Sequence, residues 1–247
     1  MLPPWVKKLG KKNLVVLLTM ASMLASTGIS VVLRWLIQVE ISISGLLISL
    51  IIPLVLTPFF GSIFFKAYFE LEEMRTQLSH LSVTDDLTQV YNRRYFIGRA
   101  NDELSRAKRY GQVFSMLLLD LDDFKQTNDR LGHPAGDEVL CMVADTCVRA
   151  IREVDVLARY GGDEFALLIP NLDQQHAWEF AERLRTLLDE SVVAYEGHAI
   201  QITVSIGVVT WTPAITDLDG LIYLMDKALY DAKRAGKDTI KVLKAHS

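Results

Sequence analysis

Arg159-Tyr160-Gly161-Gly162-Asp163-Glu164-Phe165 stands between two β-prone runs of this 247-residue chain, residues 154–158 before it and 165–169 after it. The pattern predicts a β-hairpin with a negatively charged tip. Glycine permits a positive φ and lets a bulky group approach the backbone closely. Adjacent acids at such a tip repel each other unless a cation lies between them, and hard divalent cations prefer carboxylate oxygens. An exposed acidic turn that binds nothing would give the same pattern.

A second acidic group follows a run of strand length. Residues 113–119 are almost entirely apolar, as is typical of a strand buried on both faces, and Asp120-Leu121-Asp122-Asp123 comes directly after them. A carboxylate at the end of a buried strand is costly to desolvate unless it is paired or metal-bound. Two strands that end in carboxylates indicate a Mg²⁺ site for phosphoryl transfer. A buried structural acid is the alternative for Asp120.

Further motifs follow in order along the chain, and together they resemble the GGDEF-domain diguanylate cyclases. The matching segments are Asp85-Asp86-Leu87-Thr88, Asn92-Arg93-Arg94, Asp120 to Lys125, Asn128-Asp129, Gly132-His133, Gly136-Asp137, the predicted hairpin, Ser205-Ile206-Gly207 and Lys227 to Lys233. The resemblance covers about 160 residues, from Asp85 to the C-terminus. Several ordered motifs make it specific, whereas Gly-Gly-Asp-Glu-Phe alone would be weak.

Helix and strand patterns alternate through this region, which favours an α+β fold. Helices are predicted over residues 93–109, from a first turn at Pro134 to Ile151, and over 221–234. A further helix is predicted along the stripe Trp178, Ala181, Leu184, Leu187 and Leu188, and short strands are predicted within 199–209 and over 239–243. The resemblance implies a central, mostly antiparallel sheet flanked by helices, similar to the palm of nucleotidyl cyclases and polymerases.

The resemblance also implies the reaction. Two GTP molecules condense to cyclic di-GMP and two pyrophosphates across a homodimer interface, because the 3′-hydroxyl of each GTP attacks the α-phosphate of the other. The implied cofactor is Mg²⁺ or Mn²⁺, with two ions per active site. The implied ligands are Asp120, the Leu121 backbone carbonyl, Asp163 and Glu164. Asp163 and Glu164 are the catalytic pair, and the sequence leaves open whether Glu164 binds the second ion or lies near the attacking hydroxyl.

Two residues match the guanine-binding positions of the family, Asn128 and Asp137. A carboxylate can accept hydrogen bonds from the guanine N1–H and N2–H₂ edge, and adenine offers no such pair of donors. In the branch of the family that accepts ATP, a serine is expected at the position of Asp137. The sequence therefore favours GTP. Asn128 by itself would be typical of a turn or cap residue.

Residues implied to contact the phosphates are Phe124, Lys125, Gly161, Gly162, Lys233 and Lys237. The two glycines are expected to leave room for the α-phosphate. The closing motif of the family is usually Lys-x-x-Gly-Arg-Asn, but here it ends in Gly236-Lys237-Asp238. Lysine keeps the charge of arginine without its bidentate fork, and Asp238 adds repulsion. Weaker phosphate binding is therefore expected.

Arg152 and Asp155 form an Arg-x-x-Asp motif just upstream of the hairpin, where the family carries its product-inhibition site. Arginine can stack on guanine and fork onto phosphate, while the acid can accept from the base edge. The resemblance therefore implies inhibition by cyclic di-GMP. The alternative is an ordinary i,i+3 ion pair, which stabilises a protein by a few tenths of a kcal/mol.

Two uncharged segments precede the cyclase-like region. They span residues 14–33 and 41–65, which are 20 and 25 positions long. Each can cross a hydrocarbon core of about 30 Å as a helix, and membrane helices tolerate prolines such as Pro53 and Pro58. A cleaved signal peptide is the alternative for the first segment, although its apolar run exceeds the usual 7–15 residues.

Charge predicts the orientation of these spans. The connector carries only Arg34 against Glu40, whereas four basic residues precede the first span, Lys7, Lys8, Lys11 and Lys12. The positive-inside rule therefore places the N-terminus and the catalytic domain in the cytoplasm. We expect a multi-pass protein of a bacterial inner membrane that contacts the bilayer. Any input would come through the spans or from a membrane or periplasmic signalling partner.

Residues 66–84 form a predicted coiled-coil linker between the anchor, residues 1–65, and the catalytic domain, residues 85–247. Apolar residues recur at alternating spacings of four and three, which is the a/d pattern, at Ala67, Leu71, Met74, Leu78 and Leu81. The pattern covers only about two heptads, and a stable coiled coil needs about three to four. One amphipathic helix packed on its own domain is the alternative.

Composition excludes some functions. The net charge of −4 gives no support for nucleic-acid binding. The only cysteines, Cys141 and Cys147, fall on different faces of a predicted helix, so neither a disulfide nor a metal pair is indicated. Two alternatives to the cyclase remain: a non-catalytic receptor that binds cyclic di-GMP at Arg152 and Asp155, and an enzyme that makes another cyclic dinucleotide. Intact hairpin residues disfavour the first, and Asp137 disfavours the second.

Overall fold

The structure is a computed structural model that describes residues 10–36 and 43–243, and it comprises two compact units that divide between Leu81 and Ser82. The first unit contains helices α1 (Gly10–Leu36) and α2 (Ile43–Leu81). They pack together, and the hydroxyls of Ser22 and Thr57 are hydrogen-bonded at 2.9 Å. Pro53 and Pro58 lie inside α2 without ending it.

Parts of α1 and α2 are long and apolar enough to cross a membrane, over Asn13–Leu36 and Ile43–Leu71. By length and composition alone, this is weak evidence for an anchor. Lys7, Lys8 and most of the predicted connector lie outside the described residues. Helix α2 runs without a break through residues 66–81. Pairing of this segment with a second chain stays a prediction.

The second unit has a mixed six-stranded sheet flanked by helices. Its elements are β1 (Tyr91–Asn92), α3 (Arg93–Tyr110), β2 (Phe114–Leu121), α4 (Phe124–Leu131), α5 (His133–Ala150), β3 (Val156–Arg159), β4 (Glu164–Pro170), α6 (Gln174–Asp189), β5 (Val192–Tyr195), β6 (His198–Gln201), β7 (Val204–Thr210), α7 (Leu218–Arg234) and β8 (Ile240–Leu243). The strand order is β1-β3-β4-β2-β7-β8, and β5 and β6 form a separate hairpin. Neighbouring strands are antiparallel except for the outer pairs β1–β3 and β7–β8. The predicted, mostly antiparallel sheet with flanking helices is thus confirmed.

Strand β2 lies at the centre of the sheet and is buried along its whole length. Leu117 and Leu119 belong to the core on one face, which α5 and α6 cover, whereas Met116 and Leu118 belong to the core on the other, which α3 and α7 cover. Burial on both faces explains the unbroken apolar run. The strand extends two residues beyond that run, so Asp120 lies within it rather than after it.

The helix predicted along the stripe from Trp178 to Leu188 is confirmed as α6. Its buried face consists of Ala177, Ala181, Leu184 and Leu188, whereas Trp178 and Leu187 are 42% and 39% exposed. Strand β5 was not predicted. Its turn to β6 contains Glu196 and Gly197, both at positive φ. Glutamate is uncommon in that conformation, which obscured the hairpin signal.

Helix α7 packs closely on β7 at Gly207. A Cβ atom there would lie 2.5 Å from the Met225 carbonyl oxygen and would also overlap the Leu229 amide nitrogen. Since both contacts are backbone, Gly207→Ala should displace α7 and lower the free energy of unfolding by about 1–3 kcal/mol. The urea midpoint of tryptophan fluorescence measures this. Gly98→Ala on α3, where a Cβ meets nothing within 4 Å, should not lower it; equal midpoints for the two variants would contradict the packing argument.

Candidate active site

The hairpin between β3 and β4 is closed by its own backbone. The amides of Tyr160 and Gly161 both donate to the Glu164 carbonyl, at 2.8 and 3.2 Å. The Arg159 guanidinium donates to the Gly162 carbonyl at 2.7 Å and pairs with Asp85 at 3.2 Å. The tip of the hairpin is therefore held in place from the side of β3.

Of the two reasons expected for glycine at the tip, a positive φ and close approach to the backbone, only close approach applies. Neither Gly161 nor Gly162 has a φ in the left-handed region, so the expectation of a positive φ is wrong. At Gly161, close approach is the reason for glycine, because a Cβ would lie 2.5 Å from Glu164 Oε2. No heavy atom lies within 4 Å of a Cβ built on Gly162, which leaves the tip open to a ligand.

The end of β2 meets this hairpin. Asp120 is the cross-strand partner of Glu164 in the antiparallel pair β2–β4, and the Leu121 amide donates to the Asp163 carbonyl at 3.3 Å. Lys233, at the end of α7, places its Nζ atom 2.7 Å from Asp120 Oδ2. The residues implied as metal ligands thus converge at one end of the central strand, together with one ammonium group.

Several carboxylates and one ammonium group lie close together at the end of β2, and they shift the pKa values of Asp120 and Glu164. Burial raises the pKa of Asp120, the Lys233 ammonium opposes the rise, and the neighbouring Asp163 carboxylate adds to it. The pKa of Glu164 is raised by burial first and then by Asp120, again against Lys233. A nearby cation would therefore stabilise both carboxylates, because it favours their ionised form.

Oxygen donors of this kind fit a hard divalent cation. Lys233 already shows that the Asp120 carboxylate accepts a positive charge at contact distance. Among the residues that the structure describes, no three Asp, Glu, His or Cys side chains are grouped as a ready-made metal cluster. A backbone carbonyl such as that of Leu121, or oxygens of a nucleotide, would have to complete the ligand set.

The residues implied to bind guanine lie on neighbouring helices. Asn128 is on α4, and a Cβ on Gly136 of α5 would collide with its Oδ1 atom and lie 3.0 Å from the Phe124 ring. Glycine at 136 therefore allows α4 and α5 to approach each other. Asp137 follows on α5 and is exposed, so its carboxylate is available to a ligand beside Asn128.

The residues implied to bind phosphate differ in their surroundings. Lys125 is exposed in the first turn of α4, and the Phe124 side chain is buried. Lys237 Nζ lies 2.7 Å from Asp123 Oδ1, at the residue that precedes α4. Lys233 pairs with Asp120. Lys233 thus lies beside an acid at the end of β2, and Lys237 lies beside an acid just before α4.

Asp122 is a residue whose role the sequence analysis missed. Its buried carboxylate accepts hydrogen bonds from the Ser205 hydroxyl at 2.7 Å, from the Thr203 hydroxyl at 2.9 Å and from the Asp238 amide at 2.9 Å. The motif Ser205-Ile206-Gly207 was the only available signal. Asp122 links the end of β2, the start of β7 and the segment after α7, and its hydrogen bonds thereby fix these three segments relative to one another.

Arg152 and Asp155 form a tight turn between α5 and β3. The Arg152 amide donates to Asp155 Oδ2 at 2.8 Å, and the Asp155 amide donates to the Arg152 carbonyl at 3.1 Å. No salt bridge joins the two side chains in the described residues, so the ordinary ion pair is wrong. Asp155 Oδ1 is buried without a hydrogen-bond partner. A cavity of about 390 Å³ lies beside this turn and is lined by Thr84, Gln89, Val90, Tyr91, Val148, Ile151, Arg152, Glu153, Asp155 and Leu157.

Residues 82–239 match the family model described as diguanylate cyclase, GGDEF domain. Among curated relatives, Diguanylate cyclase A of Treponema denticola is 34% identical over 172 residues, which are 68% of this chain and 46% of the relative. Response regulator PleD of Caulobacter vibrioides is 36% identical over 172 residues, 68% of this chain and 38% of that protein. The chain thus spans less than half the length of these relatives.

Solved structures agree with these matches. The diguanylate cyclase SiaD from Pseudomonas aeruginosa, in complex with its activator SiaC, has a TM-score of 0.63 and 34% identity, over 73% of this chain and 69% of that one. The GGDEF domain of DgcB from Caulobacter crescentus, in complex with c-di-GMP, also has a TM-score of 0.63, with 29% identity over 65% of this chain and 95% of that one.

Proposed function

The chain belongs to the GGDEF-domain family of diguanylate cyclases, and on that premise we propose that it is a membrane-anchored diguanylate cyclase. It acts as a homodimer, requires Mg²⁺ or Mn²⁺ and is inhibited by its product. The observation that supports this most directly is the convergence of Asp120, Asp163 and Glu164 at the end of β2, where burial and mutual repulsion raise the pKa values of Asp120 and Glu164.

In the proposed reaction, a new bond forms between the 3′-oxygen of one GTP and the α-phosphorus of the other, and the bond to pyrophosphate breaks. Asp120, Asp163, Glu164 and the Leu121 carbonyl would hold the divalent ions, which would neutralise the charge of the phosphates. Glu164 would either bind the second ion or contact the attacking hydroxyl. The open backbone at Gly162 and the exposed Lys125 support phosphate binding at the same edge.

Anchoring rests on α1 and α2. Their membrane-like segments contain 24 and 29 residues, and most of their large apolar side chains are exposed, as expected where lipid covers them. We place the chain in the bacterial inner membrane with both the N-terminus and the catalytic domain in the cytoplasm. Residues 66–84 pair two chains, and the membrane raises the effective concentration of the two half-sites.

Product analysis tests the proposal. The purified full chain is incubated with GTP, with ATP or with both, in the presence of Mg²⁺, and the products are separated by chromatography. Cyclic di-GMP from GTP alone is the expected product. Binding of cyclic di-GMP without turnover would indicate a receptor, and a product containing adenine would indicate a different cyclase; either outcome would contradict the proposal.

Asp137 sets the preference for guanine in this proposal. Asp137→Ser removes the acceptor of the guanine N1–H and N2–H₂ donors, so kcat/KM for GTP should fall about tenfold to a hundredfold. Initial rates of pyrophosphate release measure it. Glu138→Ser removes the neighbouring exposed acid on α5 and should leave kcat/KM unchanged. Equal losses in both variants would show that general charge, and not base contact, is responsible.

A further inference from the structure

The segment that follows α7 has an uncommon backbone. Gly236, Lys237 and Asp238 all have positive φ, at 117°, 64° and 42°. Residues other than glycine rarely adopt this conformation, and they persist in it only where surrounding contacts impose it. Lys237 is the proposed phosphate-binding cation, so the contacts that impose this turn also determine where its ammonium group lies.

Two contacts hold Asp238. Its amide donates to Asp122 Oδ2 at 2.9 Å, which ties the turn to the end of β2. Its carboxylate lies 2.6 Å from Arg185 Nη1 on α6. The turn is therefore attached to the sheet by its backbone and to a helix by its side chain.

Arg185 is itself held in place. Its Nε and Nη2 atoms donate to both carboxylate oxygens of Glu182, at 3.2 and 2.7 Å. This bidentate contact fixes the plane of the guanidinium, and Nη1 is left to meet Asp238. The Arg185 side chain is 19% exposed, against 41% for Asp238, so the more buried group of the pair is the arginine.

Arg185 also changes the expectation for Asp238. The family usually has asparagine here, and the sequence predicted that an aspartate would repel phosphate. The structure pairs that carboxylate with Arg185, so the added negative charge is balanced locally. Asp238, which replaces the usual asparagine, thus fixes the turn to Arg185.

We propose that Arg185 is a positioning residue: through Asp238 it holds the 236–238 turn so that Lys237 Nζ stays beside Asp123, next to the first turn of α4. This inference rests on the proposed function, because it assigns Lys237 to the β- and γ-phosphates of GTP. Arg185 acts on binding through the turn and does not contact the reacting atoms.

Equilibrium binding to the purified full chain tests the inference. The probes are 3′-deoxy-GTP, which lacks the attacking hydroxyl, and GMP, which lacks the β- and γ-phosphates, each with Mg²⁺. Arg185→Ala and Asp238→Ala should each raise the Kd of 3′-deoxy-GTP about threefold to fivefold, as expected for a partly exposed ion pair, and leave the Kd of GMP unchanged. A merely structural role would weaken both ligands alike.

Glu179→Ala is the matched control, because it removes an acid of the same helix α6 that accepts from Gln175 and not from Arg185. Its 3′-deoxy-GTP affinity should stay within twofold of wild type, a difference worth about 0.4 kcal/mol. If circular dichroism shows that Arg185→Ala does not fold, the Kd values of Asp238→Ala, whose substitution lies in the exposed turn, test the inference alone.

The outcomes separate the two claims. Wild-type binding and cyclic di-GMP formation with unchanged Kd values in Arg185→Ala and Asp238→Ala would overturn the role of Arg185 and leave the cyclase intact. Parallel weakening of GMP would overturn it as well. A wild-type chain that neither binds 3′-deoxy-GTP nor forms cyclic di-GMP would overturn both claims.

Discussion

Asp163→Asn should lower the rate of cyclic di-GMP formation about 10³-fold or more while the fold survives. Asparagine has nearly the same shape but removes one negative charge from the proposed metal site. The backbone contact of this residue is independent of its side chain, because the Leu121 amide donates to the Asp163 carbonyl. The hairpin should therefore stay closed, and the loss should lie in turnover.

The thermal stability of the same variant provides a second measurement. Burial and the neighbouring acids raise the pKa values of Asp120 and Glu164. A carboxyl group with a raised folded-state pKa stabilises the fold below its unfolded pKa, and that contribution is lost as the pH rises through the folded value. Asp163→Asn removes one cause of both shifts. At neutral pH, without nucleotide or metal, its melting temperature should equal or exceed that of wild type.

Asp102→Asn is the control for this variant, because Asp102 is an exposed acid on α3. It should retain the full rate, measured as cyclic di-GMP formed per minute under saturating GTP. An Asp163→Asn protein with more than a tenth of the wild-type rate would rule out the assignment of Asp163. A protein that has lost its far-ultraviolet circular dichroism signal would contradict the argument that the hairpin is held by its backbone.

Arg152→Ala should relieve inhibition by cyclic di-GMP, raising the half-inhibitory concentration about tenfold to a hundredfold. Charge-assisted hydrogen bonds to phosphate account for an effect of this size. The substitution leaves the turn intact, because Arg152 holds Asp155 through its amide and not through its side chain. The substitution also leaves Asp155 in place, which is one of the residues that line the cavity.

The initial rate without added product should be unchanged in Arg152→Ala, which separates inhibition from catalysis. Arg149→Ala removes a nearby arginine at the end of α5 that donates to the Thr146 hydroxyl, and it should be inhibited as wild type is. If cyclic di-GMP inhibits Arg152→Ala as strongly as wild type, the cavity beside Asp155 is not the inhibitory site.

The sequence predicts the central part of the fold because local signals agree there. The apolar run before Asp120 indicates a strand covered on both faces, and that strand is β2. The acidic turn before Phe165 indicates a hairpin, and β3 and β4 form it. Each conclusion depends only on residues that are close in sequence and on which of their side chains are apolar and therefore buried.

Roles that depend on distant contacts could not be predicted. Asp122 is bound by Ser205, 83 positions away, and Arg185 meets Asp238 across 53 positions. No spacing rule joins such pairs, because the strand order β4-β2-β7 and the packing of α6 bring them together. The two glycines of the hairpin show the reverse case: the residue type was recognised, but its physical reason at Gly161 is crowding by Glu164.

Helix α2 is a single element of 39 residues, and at about 1.5 Å per residue it measures roughly 58 Å. Its apolar part, 29 of the 39 residues, accounts for about three quarters of that length. In the proposed anchored form, a rotation imposed near Ile43 would be transmitted to Leu81, because α2 continues without a break past Pro53 and Pro58. Helix α2 therefore suits control of the catalytic domain by rotation better than control through a flexible linker.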